Sequence, residues 1–94
     1  MSQRPPDAVL DRGFHALSDA TRRAIWIDLG AEPGLTTAEL AERRPRLTRW
    51  AVMKHLAVLR DAELIETLPE GRRRRHYRES RALQALRDWL EVAR

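Results

Sequence analysis

The stretch Thr36–Arg60, TTAELAERRPRLTRWAVMKHLAVLR, decides how the chain is to be read. Its opening, Thr36-Thr37-Ala38-Glu39, is a capping box, in which the Thr36 hydroxyl and the Glu39 carboxylate satisfy each other's free backbone N–H groups. A short helix follows, through Leu40 to Arg43, and Pro45 ends it because proline cannot donate to the helical ladder. Leu47-Thr48 then opens another helix, with Thr48 as N-cap and a hydrophobic staple from Leu47 to Val52. On that helix Val52, Leu56 and Leu59 form one stripe. At helical periodicity the opposite side carries Trp50, Lys54 and Ala57, flanked by Arg49 and Met53. The stretch therefore predicts two helices joined by a tight turn, the second showing a basic and partly apolar face.

Upstream, the pattern predicts a polar arm over Met1 to Pro6 and a first helix from an Asp7 N-cap to Leu17. Val9, Leu10, Phe14 and Leu17 share one face of it, and Gly13 weakens it. Asp19 caps a second helix whose apolar side includes Ile25, Trp26 and Leu29 and which stops at Gly30. Ala31 to Leu35 reads as a loop or very short strand. Downstream, Leu64 to Leu68 and Arg73 to Arg78 are extended runs about a Pro69-Glu70-Gly71 turn, a β-hairpin with an arginine-rich tip and second strand. A terminal helix over Ser80 to Arg94 places Leu83, Leu86, Leu90 and Ala93 on a stripe with Trp89 beside it, and that stripe needs cover.

Composition limits the classes open to such a chain. Its 94 residues make one domain, 1–94, with a thin core that an added helix–helix interface would help. The 13 leucines and 13 alanines outweigh seven valines and isoleucines, which favours helices. Cysteine is absent, which excludes disulfides, thiolate metal sites and thiol switches and fits a reducing compartment. No apolar run approaches the roughly 20 residues that span a bilayer, and the first residues lack a signal-peptide core, so the expected location is the cytoplasm. The net charge of +4 hides two basic stretches: Arg43 to Arg60 has six basic residues and no acidic one, and Gly71 to Arg81 has six arginines against Glu79. Such an asymmetry is the footprint of a face that binds a polyanion. Catalysis is not expected: His15, Ser18 and Asp19 imitate a catalytic trio, but no Gly-x-Ser-x-Gly elbow surrounds Ser18 and Asp19 serves as a cap.

The order helix, helix, short helix, turn, basic helix, basic hairpin, helix is that of a winged helix-turn-helix domain, a mainly α fold with a two-stranded β wing. The residues also resemble the ArsR/SmtB type of bacterial transcriptional regulator from about Val9 to Leu90. The segments that carry the resemblance are Phe14 to Ile25 (FHALSDATRRAI), Thr37 to Ala41 (TAELA), Val52 to Arg60 (VMKHLAVLR) and Gly71 to Arg74 (GRRR). The resemblance implies a homodimeric repressor of double-stranded DNA whose first and last helices form the dimer interface, here Val9, Leu10, Phe14, Leu83, Leu86, Trp89 and Leu90. It implies a recognition helix in the major groove of a pseudo-palindromic operator, with Thr48, Arg49, Trp50, Met53, Lys54 and His55 on DNA. The wing arginines Arg72, Arg73, Arg74 and Arg75 would meet phosphates.

The departures from the family pattern are equally informative. Metal-sensing members carry a cysteine pair in the helix beginning near Thr37, or aspartate and histidine ligands in the last helix, and neither set is present. No metal and no cofactor is therefore expected. The signal that relieves repression would be a small organic ligand, a partner protein or the protein's own concentration. Met53 stands where the family often has serine and offers a thymine methyl only an apolar contact. Glu63 stands where the family usually has glycine, at a helix end that wants a left-handed residue, with a strain of order 1 kcal/mol. The alternative from another class is a winged-helix protein-interaction module that turns its basic face to an acidic partner. RNA is disfavoured by a single tyrosine and a single phenylalanine for stacking.

Overall fold

A computed structural model describes residues 5–92 of the chain. In chain order they form α1 (Pro5–Leu17), α2 (Ala20–Ala31), β1 (Leu35–Thr36), α3 (Thr37–Glu42), α4 (Arg49–Asp61), β2 (Ile65–Glu70), β3 (Arg73–Arg78) and α5 (Ser80–Val92). The fold is mainly helical with an antiparallel sheet, a winged helix-turn-helix. Of the expected arm over Met1 to Pro6, Met1 to Arg4 lie outside the described residues, as do Ala93 and Arg94 of the expected last helix, while Pro5 and Pro6 belong to α1.

α1 starts at Pro5, earlier than the expected Asp7 cap, and Asp7 lies within its first turn. Proline is tolerated there because first-turn N–H groups have no helical partner, and the carboxylate suits the positive helix end. Gly13 has a packing reason: a β-carbon on it would come within 2.9 Å of Leu86 Cδ2, so its absence lets α5 lie close across α1.

α2 corrects a second expectation. It passes through Gly30 to Ala31, with Glu32 as C-cap. The glycine there has a packing reason instead: the Arg78 guanidinium from β3 occupies the space a side chain on Gly30 would fill. The Asp19 side chain accepts from the Arg22 N–H at 3.0 Å, as the N-cap reading requires.

α3 carries the complete capping box: Glu39 N–H donates to Thr36 Oγ1 at 3.1 Å, and Thr36 N–H donates to Glu39 Oε1 at 2.8 Å. The helix closes on Arg43, and Pro45 lies in the turn beyond it. α4 opens with Ala51 N–H donating to Thr48 Oγ1 at 3.0 Å and buries Val52, Leu56 and Leu59. It closes through Glu63, whose φ of 60° is left-handed as the family pattern demands. The Glu63 N–H donates to the Arg60 carbonyl at 2.9 Å and the Leu64 N–H to the Leu59 carbonyl at 3.0 Å, the paired bonds of a Schellman motif.

The sheet has three strands in the order β1-β3-β2, so the two-stranded wing gains a third strand at its base. Leu35 faces His76 and Thr36 faces Arg75. In the hairpin Glu70 faces Arg73, which places the turn at Gly71-Arg72 and leaves Pro69 and Glu70 in β2. Gly71 has a φ of 60°, the positive first central residue that a two-residue hairpin turn favours. The core gathers Ile25 and Leu29 of α2, Leu40, the α4 stripe, Leu64, Ile65, Ala82 and Leu86. Trp26 spans α2 to the wing, its Nε1 donating to the Leu64 carbonyl at 3.1 Å.

Candidate nucleic-acid interface

The basic stretch that ends at Arg60 divides into two groups. Arg44 is half-buried and donates to Asp28 Oδ2 at 2.8 Å and to the Leu40 carbonyl at 3.1 Å, while Arg43 pairs with Glu32. These two arginines fasten the turn of the helix-turn-helix to α2, and their charge is answered inside the chain. Arg49, Trp50, Met53 and Lys54 instead stand on the exposed side of α4. Trp50 is 67% exposed and Met53 52%, so neither packs into the core. The Lys54 ammonium lies 4.8 Å from the centroid of the Trp50 ring, a cation–π pair that orders both side chains on the surface. Thr48, the cap, is exposed at the start of the same face.

The wing completes a basic trough. Arg49, Met53 and Arg60 of α4 face Arg72 and Arg74 of the hairpin, with Thr37 and His76 on the floor. Arg73 and Arg74 also overhang the start of α3. Arg72, Arg73 and Arg74 are exposed, whereas Arg75 is half-buried, bonded to Glu70 and donating to the Gly34 carbonyl at 2.9 Å. The Glu70 carboxylate further stabilises the Arg75 cation, raising its pKa. Arg75 thus belongs to the base of the wing rather than to its free tip.

His55 does not share the face of Trp50 and Lys54. It is half-buried, with Nδ1 3.3 Å from Arg22 Nη1 and 3.9 Å from Asp19 Oδ2. Arg22 also donates to the carbonyls of Ala16 (2.7 Å) and His15 (3.2 Å), so one guanidinium joins the end of α1, the start of α2 and the middle of α4. Ser18 is held locally, its hydroxyl donating to the His15 carbonyl at 2.6 Å. No group of three or more His, Cys, Asp or Glu residues that could hold a metal ion occurs among the described residues.

At the other end of the molecule α1 packs on α5. Phe14 and Trp89 meet edge to face, with ring centroids 5.7 Å apart at 72°. Of the residues expected at a dimer face, Leu86 is buried within the protomer against Gly13, and Val9, Leu10 and Leu83 are half-buried. Phe14 (38% exposed), Trp89 (48%) and Leu90 (56%) remain open.

Sequence reasoning missed two residues of this architecture, Arg22 and His76. Arg22 lay inside a quoted motif without a role. His76 sat among arginines that masked its burial; only strand alternation, which turns it inward between half-buried neighbours, could have singled it out.

No helix among the described residues is long and apolar enough to cross a membrane. No family model matches the chain. It is similar to the HTH-type transcriptional regulator Rv2034 of Mycobacterium tuberculosis, 43% identical over 81 residues that make up 86% of this chain and 74% of the relative. Among solved structures, the ArsR family transcriptional regulator RHA00566 superposes with a TM-score of 0.84 at 33% identity, covering 99% of this chain and 92% of the other. An ArsR-like transcriptional regulator from Rhodococcus sp. RHA1 superposes with a TM-score of 0.82 at 35% identity, covering 92% and 77%. With a capped helix-turn-helix, an arginine-tipped wing and these relatives, the chain belongs to the ArsR family of HTH-type transcriptional regulators.

Proposed function

We propose that the chain is a homodimeric repressor that sets α4 in the major groove of a pseudo-palindromic operator and the wing tip on phosphates. The observation that carries this reading is the basic trough that Arg49 and Met53 of α4 border together with Arg72, Arg73 and Arg74 of the wing, with Trp50 and Lys54 exposed on the same helix. Base edges are read from a helix in the major groove, and arginine forks match phosphate oxygens. Two-fold symmetry would come from α1 and α5, where Phe14, Trp89 and Leu90 leave aromatic and aliphatic surface open to a second copy. The inducing signal in this reading is a small organic molecule or a partner protein rather than a metal ion, in keeping with the absence of cysteine from the sequence.

The test is a footprint on the intergenic DNA upstream of the chain's own gene, with sedimentation of the free protein. The reading expects a protected palindrome and a dimer at tens of micromolar. A monomer, or a protein that binds every duplex alike, would refute it.

A further inference from the structure

His76 is the buried ionisable side chain that DNA contact leaves unused. It lies on β3 at 1% exposure, yet both ring nitrogens are bonded: Nε2 to Thr37 Oγ1 at 2.8 Å and Nδ1 to Thr67 Oγ1 at 2.9 Å. Thr37 is the first residue of α3, and Thr67 lies on β2 directly across from His76. Arg60, in the last turn of α4, donates to Thr67 Oγ1 at 3.3 Å. One polar chain, Arg60–Thr67–His76–Thr37, therefore links both helices of the helix-turn-helix to both strands of the hairpin. A neutral imidazole with its proton on Nε2 satisfies every member: Arg60 donates to Thr67, the Thr67 hydroxyl to Nδ1, and Nε2–H to Thr37. Burial, with Arg60 and Arg74 nearby, disfavours the imidazolium and keeps this arrangement.

Among the described residues, the backbone ladder between the hairpin and the strand that leads into α3 is short. β1 pairs with β3 over two residues, Leu35 with His76 and Thr36 with Arg75, and Gly34 N–H adds a bond to the His76 carbonyl at 2.9 Å. This ladder holds β3 along one edge, and β2 is attached on its far side; Arg78 Nε on the Trp26 carbonyl and Trp26 Nε1 on the Leu64 carbonyl tie the base of the hairpin to α2. The imidazole adds a side-chain tie to α3, through Thr37, and to β2, through Thr67. The geometry points to His76 as a positioning residue that seats the wing on the helix-turn-helix, setting the span between the arginine tip and the exposed face of α4. This inference rests on the DNA-binding reading above.

The isosteres separate the two bonds. His76→Gln keeps an amide where Nε2 lay and retains the grip on Thr37; His76→Asn keeps one where Nδ1 lay and reaches only Thr67, within the hairpin. Thr37→Val breaks the same bond from the other side. Each chain is titrated with a 30-base-pair duplex that the wild type has selected from a randomised pool. Salt is varied, at a temperature where circular dichroism shows every chain folded. The expected result is wild-type affinity within about twofold for His76→Gln. For His76→Asn and Thr37→Val we expect about tenfold weaker binding and a salt slope lower by one to two, as the tip arginines lose their phosphates. The double variant should show no further loss. Wild-type affinity and salt slope in His76→Asn would overturn the proposal while leaving the DNA reading intact. So would a loss with unchanged slope, the mark of a merely structural role. A pool from which the wild type retains nothing would overturn both.

Discussion

Arg78 fills the place of the missing side chain of Gly30. Its guanidinium carbon sits 3.5 Å from the centroid of the Trp26 ring, its Nε donates to the Trp26 carbonyl at 2.8 Å, and a β-carbon on Gly30 would collide with it. Gly30→Ala alone should change stability by less than about 0.5 kcal/mol, since better helix propensity is offset by the displaced cation–π contact. In an Arg78→Ala background the same substitution should stabilise by up to about 1 kcal/mol. Urea denaturation of the four chains measures the coupling, and additive effects would show that the two residues act independently.

Glu63→Gly should stabilise the protein by about 1 kcal/mol, because glycine takes the left-handed conformation without the β-carbon penalty. The Glu63 side chain is exposed, so little else is lost. For a chain of this size the midpoint of thermal unfolding should rise by several degrees. A fall would mean that Glu63 makes a compensating interaction.

Leu90→Asp should convert a dimer to a monomer without unfolding it, because Leu90 is more than half exposed in the protomer. Leu86→Asp should unfold the protomer as well, since Leu86 packs on Gly13 and burying an unpaired carboxylate costs several kcal/mol. Sedimentation and circular dichroism together distinguish the two outcomes, and a Leu90→Asp dimer would move the interface elsewhere.

Acid should weaken the fold through His76. Burial first, then the charges of Arg60 and Arg74, lower its pKa from 6.5 to about 4. The unfolded chain takes up this proton near pH 6.5 and the folded one does not. Stability from the neutral imidazole is therefore full above 6.5 and falls toward pH 4, by at most about 1.4 kcal/mol per pH unit. His76→Gln should flatten that part of the stability profile, and equal slopes in the two chains would contradict the assignment.

Wing and helix should fail differently when altered. Arg73→Ala should weaken binding to all duplexes about equally and lower the salt slope by about one. Arg49 or Lys54 replaced by alanine should change which operator variants are preferred, by roughly 1 to 3 kcal/mol at the contacted base. Titrations of point-mutated operators at several salt concentrations would expose the reverse pattern, which would make the wing the reader.

Local signals were the legible ones. Thr36, Glu39, Thr48 and Asp19 declare their helix starts because a cap is made within four residues, whereas the left-handed end at Glu63 is expected only through the resemblance to a family that usually has glycine there. What escaped was set by distant partners. Gly30 makes room for Arg78 arriving from β3 rather than ending its helix, and two residues of β1 become a strand only because β3 lies beside them. The interface shows the same division. The exposed face of α4 follows from its periodicity, but the inward turn of His55 toward Arg22 and the pairing of Arg75 with Glu70 depend on tertiary contacts that charge counting does not see.

α4 is closed at both ends, by Thr48 at its start and by the bonds of Glu63 and Leu64 at its finish. Its bonded end amides, Ala51 and Val52 at the start and Glu63 and Leu64 at the finish, should exchange slowly with solvent before any partner is added, and binding then orders no new helical turns. The groups that close it are the Thr48 hydroxyl and backbone atoms, none of them on the side chains of Arg49, Trp50, Met53 or Lys54. In the proposed reading those four positions are therefore free to drift, and exchanging them one at a time would change the target sequence while the helix that displays them stays as it is.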